Sequence, residues 1–244
     1  YYSHSSVMAT ITPGGIMNMD KQPHRFAYYG WAIALEELHY QYRAITEWKL
    51  DKETLAGLKL LIIPDAVVLD PEKVEKVIKP WINAGGKLIV TGQTGLRRNE
   101  DYNLVYNQNG LSPGEITGVY NVDSAPIQKM SAHGSGKVLY LKKNIGLDFY
   151  LNEQSRTTKL NIFDSVLKRA IEAESMLLDS KNVPQYVGLT MYQDEQEQRL
   201  FVDINNFNLD LKEDSLTMVK EIAFTIKPPE WLENEEIEYQ LITP

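Results

Sequence analysis

The stretch from Leu60 to Thr91 limits the fold more than any other part of the chain. Leu60-Leu61-Ile62-Ile63 is continuously apolar, as a strand covered on both faces of a parallel sheet has to be. Asp70-Pro71-Glu72 then reads as a helix start, with a capping carboxylate, a proline where no N–H is needed and an acid in the first turn. Val74, Val77, Ile78, Trp81 and Ile82 follow at i, i+3, i+4, i+7 and i+8 and make one apolar stripe. Gly85-Gly86 ends that helix, and Lys87 to Thr91 is the next buried strand. Strand, helix, glycine pair and strand together are a βαβ crossover.

The same alternation extends on either side. Val7 to Ile11 is β-prone and ends at the breaker Thr12-Pro13-Gly14-Gly15. A helical pattern from about Arg25 to Tyr40 is expected to bury Trp31, Leu35, Leu38 and Tyr42 as one stripe. Arg43 to Trp48 reads as a strand, and Asp51 caps a short helix with Leu50 stapled to Leu55. The segment from Gly92 to Gly134 is polar, with short β-like runs at Leu104 to Tyr106 and Ile116 to Val122. Gly136 to Leu141 is another strand, and Thr158 to Met176 a helix with Ile162, Val166, Leu167, Ala170 and Ile171 inward.

These patterns predict an α/β fold for residues 1–180, a flavodoxin-like or Rossmann-like parallel sheet of about five strands with helices on both faces. After Ser180 the pattern changes. Gln185 to Tyr192, Arg199 to Asn205, Met218 to Ile226 and Glu236 to Ile242 are β-like runs with no helix between them. A small antiparallel β domain is expected over residues 181–244, with its boundary near Ser180 to Pro184. The acidic run Glu230 to Glu236 reads as a solvated linker or edge.

Composition removes several function classes. Of 244 residues, 25 are Lys or Arg and 33 Asp or Glu, a net charge of −8 with no basic tract, so duplex nucleic acid is not an expected partner. No apolar run reaches the roughly 18–20 residues of a membrane span. Cysteine is absent, which excludes disulfides, thiolate metal sites and a cysteine nucleophile. The chain starts Tyr1-Tyr2-Ser3 without methionine and reads as a trimmed or excised piece, so its compartment is left unassigned.

An α/β sheet places its ligands at the carboxyl ends of its strands, which here means Thr12 to Gly15, Asp65 and Thr91 to Gly95. Thr91-Gly92-Gln93-Thr94-Gly95 sits where a nucleophile elbow would be, but Gln93 at its tip cannot attack a carbonyl, and Thr94 lacks an evident base. Asp65, Gln93 and Thr94 remain as candidate ligand contacts. The histidines His4, His24, His39 and His133 show neither zinc-ligand nor triad spacing, so no catalytic residue, metal site or cofactor is expected. Nor do the acids mark a pair suited to glycoside hydrolysis. Aromatics concentrate in Phe26, Tyr28, Tyr29, Trp31, Tyr40, Tyr42 and Trp48. Tyr28 and Tyr29 lie off or at the border of the buried stripe, where aromatic rings serve as interface cores or sugar platforms.

Three stretches carry a family likeness: His24-Arg25-Phe26-Ala27-Tyr28-Tyr29-Gly30-Trp31, Leu60 to Pro64, and Trp81-Ile82-Asn83-Ala84-Gly85-Gly86-Lys87-Leu88-Ile89-Val90-Thr91-Gly92-Gln93-Thr94-Gly95. Together they resemble the β-galactosidase trimerisation domain of glycoside hydrolase family 42 and related glycosidases. Gly134 to Leu141 is similar to that domain's last strand, and Asp148-Phe149-Tyr150 to the motif after it. The tail from Gln185 is similar to the small β domain that ends such enzymes. The same frame underlies class I glutamine amidotransferases, whose cysteine and His-x-Glu pair are missing here.

The resemblance implies a noncatalytic module that assembles subunits and walls a sugar site. It implies a homo-oligomer, with a trimer favoured, or packing on a catalytic barrel of the same polypeptide, with His24, Arg25 and Phe26 at an interface. The loop from Arg97 to Ser131 is shorter than that family's, which bears on the trimer contact. Two other readings stand beside it: a stand-alone carbohydrate-binding or sensing protein using Asp65, Gln93, Thr94 and the Tyr28/Tyr29 face, and a hydrolase with an unrecognised site.

Overall fold

The computed structural model describes residues 1–9, 22–95, 97–100, 103–106, 126–152, 154–171, 178–180, 182–210, 212–227 and 229, with 97–100 and 103–106 as backbone alone. The chain divides into two compact units, Tyr1–Ala34 with Arg43–Ala173 and Leu35–Tyr42 with Glu174–Pro244. No helix among the described residues is long and apolar enough to cross a membrane.

The first unit is built on strands β1 (Leu60–Pro64), β2 (Lys87–Thr91), β5 (Gln128–His133) and β6 (Gly136–Leu141), in the order β1-β2-β6-β5. Between β2 and β5 in sequence, β3 (Arg97–Glu100) and β4 (Asn103–Tyr106) form a separate antiparallel hairpin. β1, β2 and β6 run parallel, with Ile62 opposite Ile89 and Ile89 opposite Leu139, while β5 is an antiparallel edge. The expected βαβ crossover is present. Its helix α4 covers residues 71–83 and begins where Asp70 accepts a hydrogen bond from the Glu72 N–H at 2.8 Å.

One departure inside α4 has a chemical cause. Val74–Ile78 is wound as a π-turn immediately before Pro80. Proline has no N–H to give, and its ring crowds the carbonyl four residues back, so a widened turn is where that conflict is relieved. Gly86 closes the helix tightly, since a Cβ there would lie 2.4 Å from the Trp81 ring.

Helices cover the sheet on both faces. Successive strand residues point to opposite sides. Leu61, Ile63, Leu88, Val90, Val138 and Tyr140 join Val74, Ile78 and Ile82 of α4, with Ile45, Leu50 and Leu55, in one core cluster. Ile89 and Leu139, the alternate residues, are as deeply buried, and helix α6 (Arg156–Ala170) packs on β2 and β6. Helices α2 (Pro23–Glu37) and α5 (Ile145–Leu151) join α6 through the Trp31–Phe163 and Phe149–Phe163 edge-to-face pairs, at 4.7 and 5.3 Å. α2 and α5 touch backbone to backbone: a Cβ on Gly30 would stand 1.9 Å from the Gly146 carbonyl oxygen.

Several expectations are corrected here. Val7–Ala9, read as part of a strand, belongs to helix α1 (His4–Ala9). The Glu47 carboxylate accepts from the Ser5 N–H at 3.0 Å, and this cap outweighs a weak local β preference. Residues 43–48 give only a bridge between Thr46 and Tyr2 and the short 3₁₀ turn Glu47–Lys49. Among the described residues the sheet therefore has four strands, three of them parallel, rather than about five. Tyr42 is exposed and Leu38 half-buried, because α2 stops at Glu37 and the helical phase that pointed them inward stops with it. Ile162 is also exposed; α6 turns Leu160, Phe163, Val166, Leu167 and Ala170 inward instead. Asp51 does cap α3 (Lys52–Leu55), accepting from the Thr54 N–H at 2.7 Å.

The second unit is antiparallel β. β7 (Leu178–Asp179) pairs with β12 (Thr225–Ile226), and β8 (Val187–Asp194) forms a long hairpin with β9 (Arg199–Asn206). β10 (Leu209–Asp210) and β11 (Ser215–Leu216) pair with each other. Its core is small: Leu178, Val183, Val187 and Leu189, with Val219, Ile222 and Phe224 against them. The outer edge of β8 is dressed by side chains. His39 Nε2 lies 2.9 Å from the Val187 carbonyl oxygen, while the Gln41 amide accepts from the Met191 N–H at 2.8 Å and donates to the Leu189 carbonyl at 3.0 Å. The expectations on residues 10–15, 116–122, 172–176 and 230–242 fall outside the described residues.

Candidate functional site

The carboxyl ends of β1, β2 and β6 meet at Asp65. This residue follows β1 directly, has a φ of 53° and is buried. Aspartate is among the few residues that take this left-handed conformation at modest cost. The Asp65 Oδ1 accepts the Gln93 N–H at 2.6 Å, and its Oδ2 accepts from the Asn144 side-chain amide at 2.8 Å. Asn144 in turn caps α5 by accepting from the Leu147 N–H at 3.1 Å. One carboxylate thus ties together the turns after all three parallel strands. Gly92, at φ 59°, permits the approach, since a Cβ there would lie 2.3 Å from Asp65 Oδ1.

The electrostatics follow from the burial. Loss of water pushes the Asp65 carboxyl up to about 6, against the pull of the two hydrogen bonds. Tyr140, whose hydroxyl donates to the Gly92 carbonyl at 3.1 Å, is pushed up to about 12 by burial and by the Asp65 charge. Thr94 is equally committed to structure. Its hydroxyl accepts from the Ala66 N–H at 3.0 Å and donates to the Thr91 carbonyl at 2.8 Å. Gln93 alone of the three candidates is exposed. The corner brings Asp65, Gln93 and Thr94 together as expected, but two of them hold the loops in place.

The aromatic candidates form a separate row along α2. Tyr28 meets Tyr2 edge-on at 5.1 Å and Tyr29 at 5.8 Å; Tyr29 meets Tyr150 at 5.7 Å, and Tyr150 stacks on Phe26 at 5.1 Å. Tyr28 and Tyr29 are half-buried. Of the three residues expected at an interface, His24 and Phe26 are buried within the chain itself, and Arg25 lies over the Tyr29 ring at 5.6 Å, donating to its hydroxyl at 3.2 Å.

His24 is fully engaged. Its Nδ1 lies 2.7 Å from the Pro64 carbonyl and its Nε2 2.8 Å from the Ser3 backbone nitrogen. The Ser3 N–H can only donate, so Nε2 accepts and Nδ1 carries the proton of a neutral ring. Burial pushes this imidazole down to about 4.

Sequence reading missed Asn144 and Tyr140. A lone asparagine before a helix was the available signal for the first; nothing in the pattern distinguished Tyr140 from an ordinary core residue. No group of three or more His, Asp or Glu among the described residues is arranged to hold a metal ion.

No protein-family model matches the sequence, and a search of the curated proteins returns no match. Solved structures do share the fold. The chain is similar to Gan42B, a GH42 β-galactosidase from G. stearothermophilus, with a TM-score of 0.51 and 13% identity over 76% of this chain and 31% of that one. A catalytic mutant of the same enzyme gives 0.51 and 12% over 75% and 30%. The β-galactosidase from Bacillus circulans sp. alkalophilus gives 0.56 and 12% over 82% and 33%. The chain spans about a third of the length of these enzymes. At such identities the likeness is one of fold: an α/β architecture related to part of the GH42 β-galactosidases.

Proposed function

We propose that this chain is the noncatalytic accessory module of a β-galactosidase-like glycoside hydrolase, holding subunits together and walling a sugar site. The observation that carries the reading is the fold shared with three β-galactosidase structures, two of them of the GH42 enzyme Gan42B, over three-quarters or more of this chain and about a third of theirs. On this reading the first unit is a flavodoxin-like, glutamine-amidotransferase-like frame whose elbow tip carries Gln93. The hydrogen bonding of Asp65 and Thr94 supports a structural rather than a chemical duty for the strand-end corner.

The partner is a second copy of the chain, as a trimer, or a catalytic barrel within the same polypeptide. No cofactor enters the reading. Sedimentation velocity over a wide concentration range is expected to show self-association to a trimer, with no turnover of nitrophenyl galactosides by the chain alone. A clean monomer at high concentration overturns the assembly role, and turnover overturns the noncatalytic one.

A further inference from the structure

The most exposed tryptophan described in the molecule lies away from the strand-end corner. Trp48 is 64% exposed, on the 3₁₀ turn Glu47–Lys49. An indole left in water is costly, and on a mobile loop it would carry little meaning. This turn is held from every side. Ile45 and Leu50, which flank it, are 3% and 0% exposed and belong to the main core. The Tyr2 N–H donates to the Ile45 carbonyl at 2.8 Å, and the Glu47 N–H to the Tyr2 carbonyl at 3.0 Å. The Glu47 carboxylate takes three further bonds, from the Ser3 hydroxyl at 3.1 Å and from the Ser5 N–H and hydroxyl at 3.0 and 3.1 Å.

What surrounds the ring decides its chemistry. The His4 imidazole stands 5.6 Å from it, centroid to centroid, tilted by 36°, and His4 is itself exposed on α1. Met8, one turn further along α1, is 51% exposed. The sequence neighbours on the two elements are Ser5, Glu47 and Lys49. Trp48 and His4 are thus two exposed rings side by side, an apolar indole next to an imidazole whose ring nitrogens can hydrogen-bond. A protein-docking face would be expected to show a broader continuous apolar patch. A pyranose ring fits the arrangement: its C–H face covers the indole while a hydroxyl reaches the imidazole.

We infer that Trp48 and His4 form a surface carbohydrate-binding site, with β-linked galactosides as its ligand class. The assignment of ligand class rests on the glycoside-hydrolase reading above; the platform itself rests on the geometry. It is separate from the Tyr28/Tyr29 row and needs no residue of the strand-end corner.

The test uses the full chain and β-1,4-galactotriose, with cellotriose and maltotriose as comparators, followed through the indole N–H resonances in ¹H–¹⁵N spectra. The chain has 4 tryptophans. The expected result is that galactotriose shifts chiefly one indole signal, the one missing from Trp48→Phe. Trp48→Ala should weaken binding by about tenfold or more, while Trp48→Phe and His4→Ala weaken it less. Trp48→Ala should also leave the fold intact, because the side chain is outside the core. An unmoved Trp48 signal, or equal affinity in Trp48→Ala, overturns the site. So does a change in sedimentation on Trp48→Ala, which would make this face a contact between protein chains. A chain that self-associates but ignores the sugars loses this site and keeps the assembly role.

Discussion

The two units bury their apolar residues very differently. In the first, Ile63, Leu88, Ile89, Leu139 and Tyr140 are 0–1% exposed, and helices cover both faces of the sheet. In the second, Ile204, Phe201, Tyr192 and Phe207 are 44–66% exposed on or beside a two-stranded ribbon. A ribbon of two strands is marginal in water by itself. Apart from Val187 and Leu189, which reach the small core, what holds it in register is polar: the backbone ladder, and the side chains of His39 and Gln41 on its edge. The first unit thus rests chiefly on packing and the second more on hydrogen bonding, and substitutions should fail in different ways in each.

The largest effect is expected at the α2–α5 crossing. Gly30→Ala puts a methyl group into the Gly146 carbonyl and should cost the first unit about 3–5 kcal/mol, read as lost hydrogen-exchange protection in β1 and β2. Near-native protection would show that the helices can simply slide apart. Next is Leu139→Ala, which leaves a cavity beneath α6 and should cost about 2–5 kcal/mol, whereas Ile204→Ala in the ribbon should cost under about 1 kcal/mol. Equal losses at the two sites would erase the contrast between the units.

Acid titration sharpens the comparison within the first unit. His24 is held down at about 4, so the unfolded chain binds its proton first: this stability is present above pH 6.5 and lost as pH falls toward 4. Asp65 is raised to about 6, so here the folded chain binds the proton first: its contribution is full below pH 3.8 and lost as pH rises through 6. Each shift corresponds to roughly 3 kcal/mol, and the two oppose one another between pH 4 and 6. Asp65→Asn should therefore make the unit more acid-labile than the parent chain, and His24→Gln less so, in urea titrations at pH 4.5, 5.5 and 6.5. Parallel stability curves for all three proteins would refute this balance. A more modest effect is expected at the edge of β8: Gln41→Ala removes two edge hydrogen bonds and should cost about 1–2 kcal/mol, seen as faster exchange at Met191.

Sequence pattern revealed what packing dictates. The run Leu60 to Ile63, the capped start at Asp70-Pro71 and the stop at Gly85-Gly86 depend on local chemistry and period, and they appear in the structure where they were expected. Residues 7–9 and 43–48 were misread because their conformation depends on bonds across a long sequence separation, such as Glu47 to Ser5. The corner was legible in part for the same reason. Asp65 and Gly92 stand out at strand ends, but their coupling through Asn144 spans 79 residues. Tyr150 joined the aromatic row in the same way, through packing of α5 on α2.

The amide of Gln41 has a consequence beyond stability. It reproduces, in one side chain, the pair of bonds that a neighbouring strand's peptide groups would make around Thr190. It therefore works as a plug, closing the edge of β8 to other strands without becoming one. Exchanged for leucine, it would leave a donor and an acceptor set at ladder spacing beside exposed Tyr192 and Phe201, the conditions under which chains add edge to edge and grow into fibres.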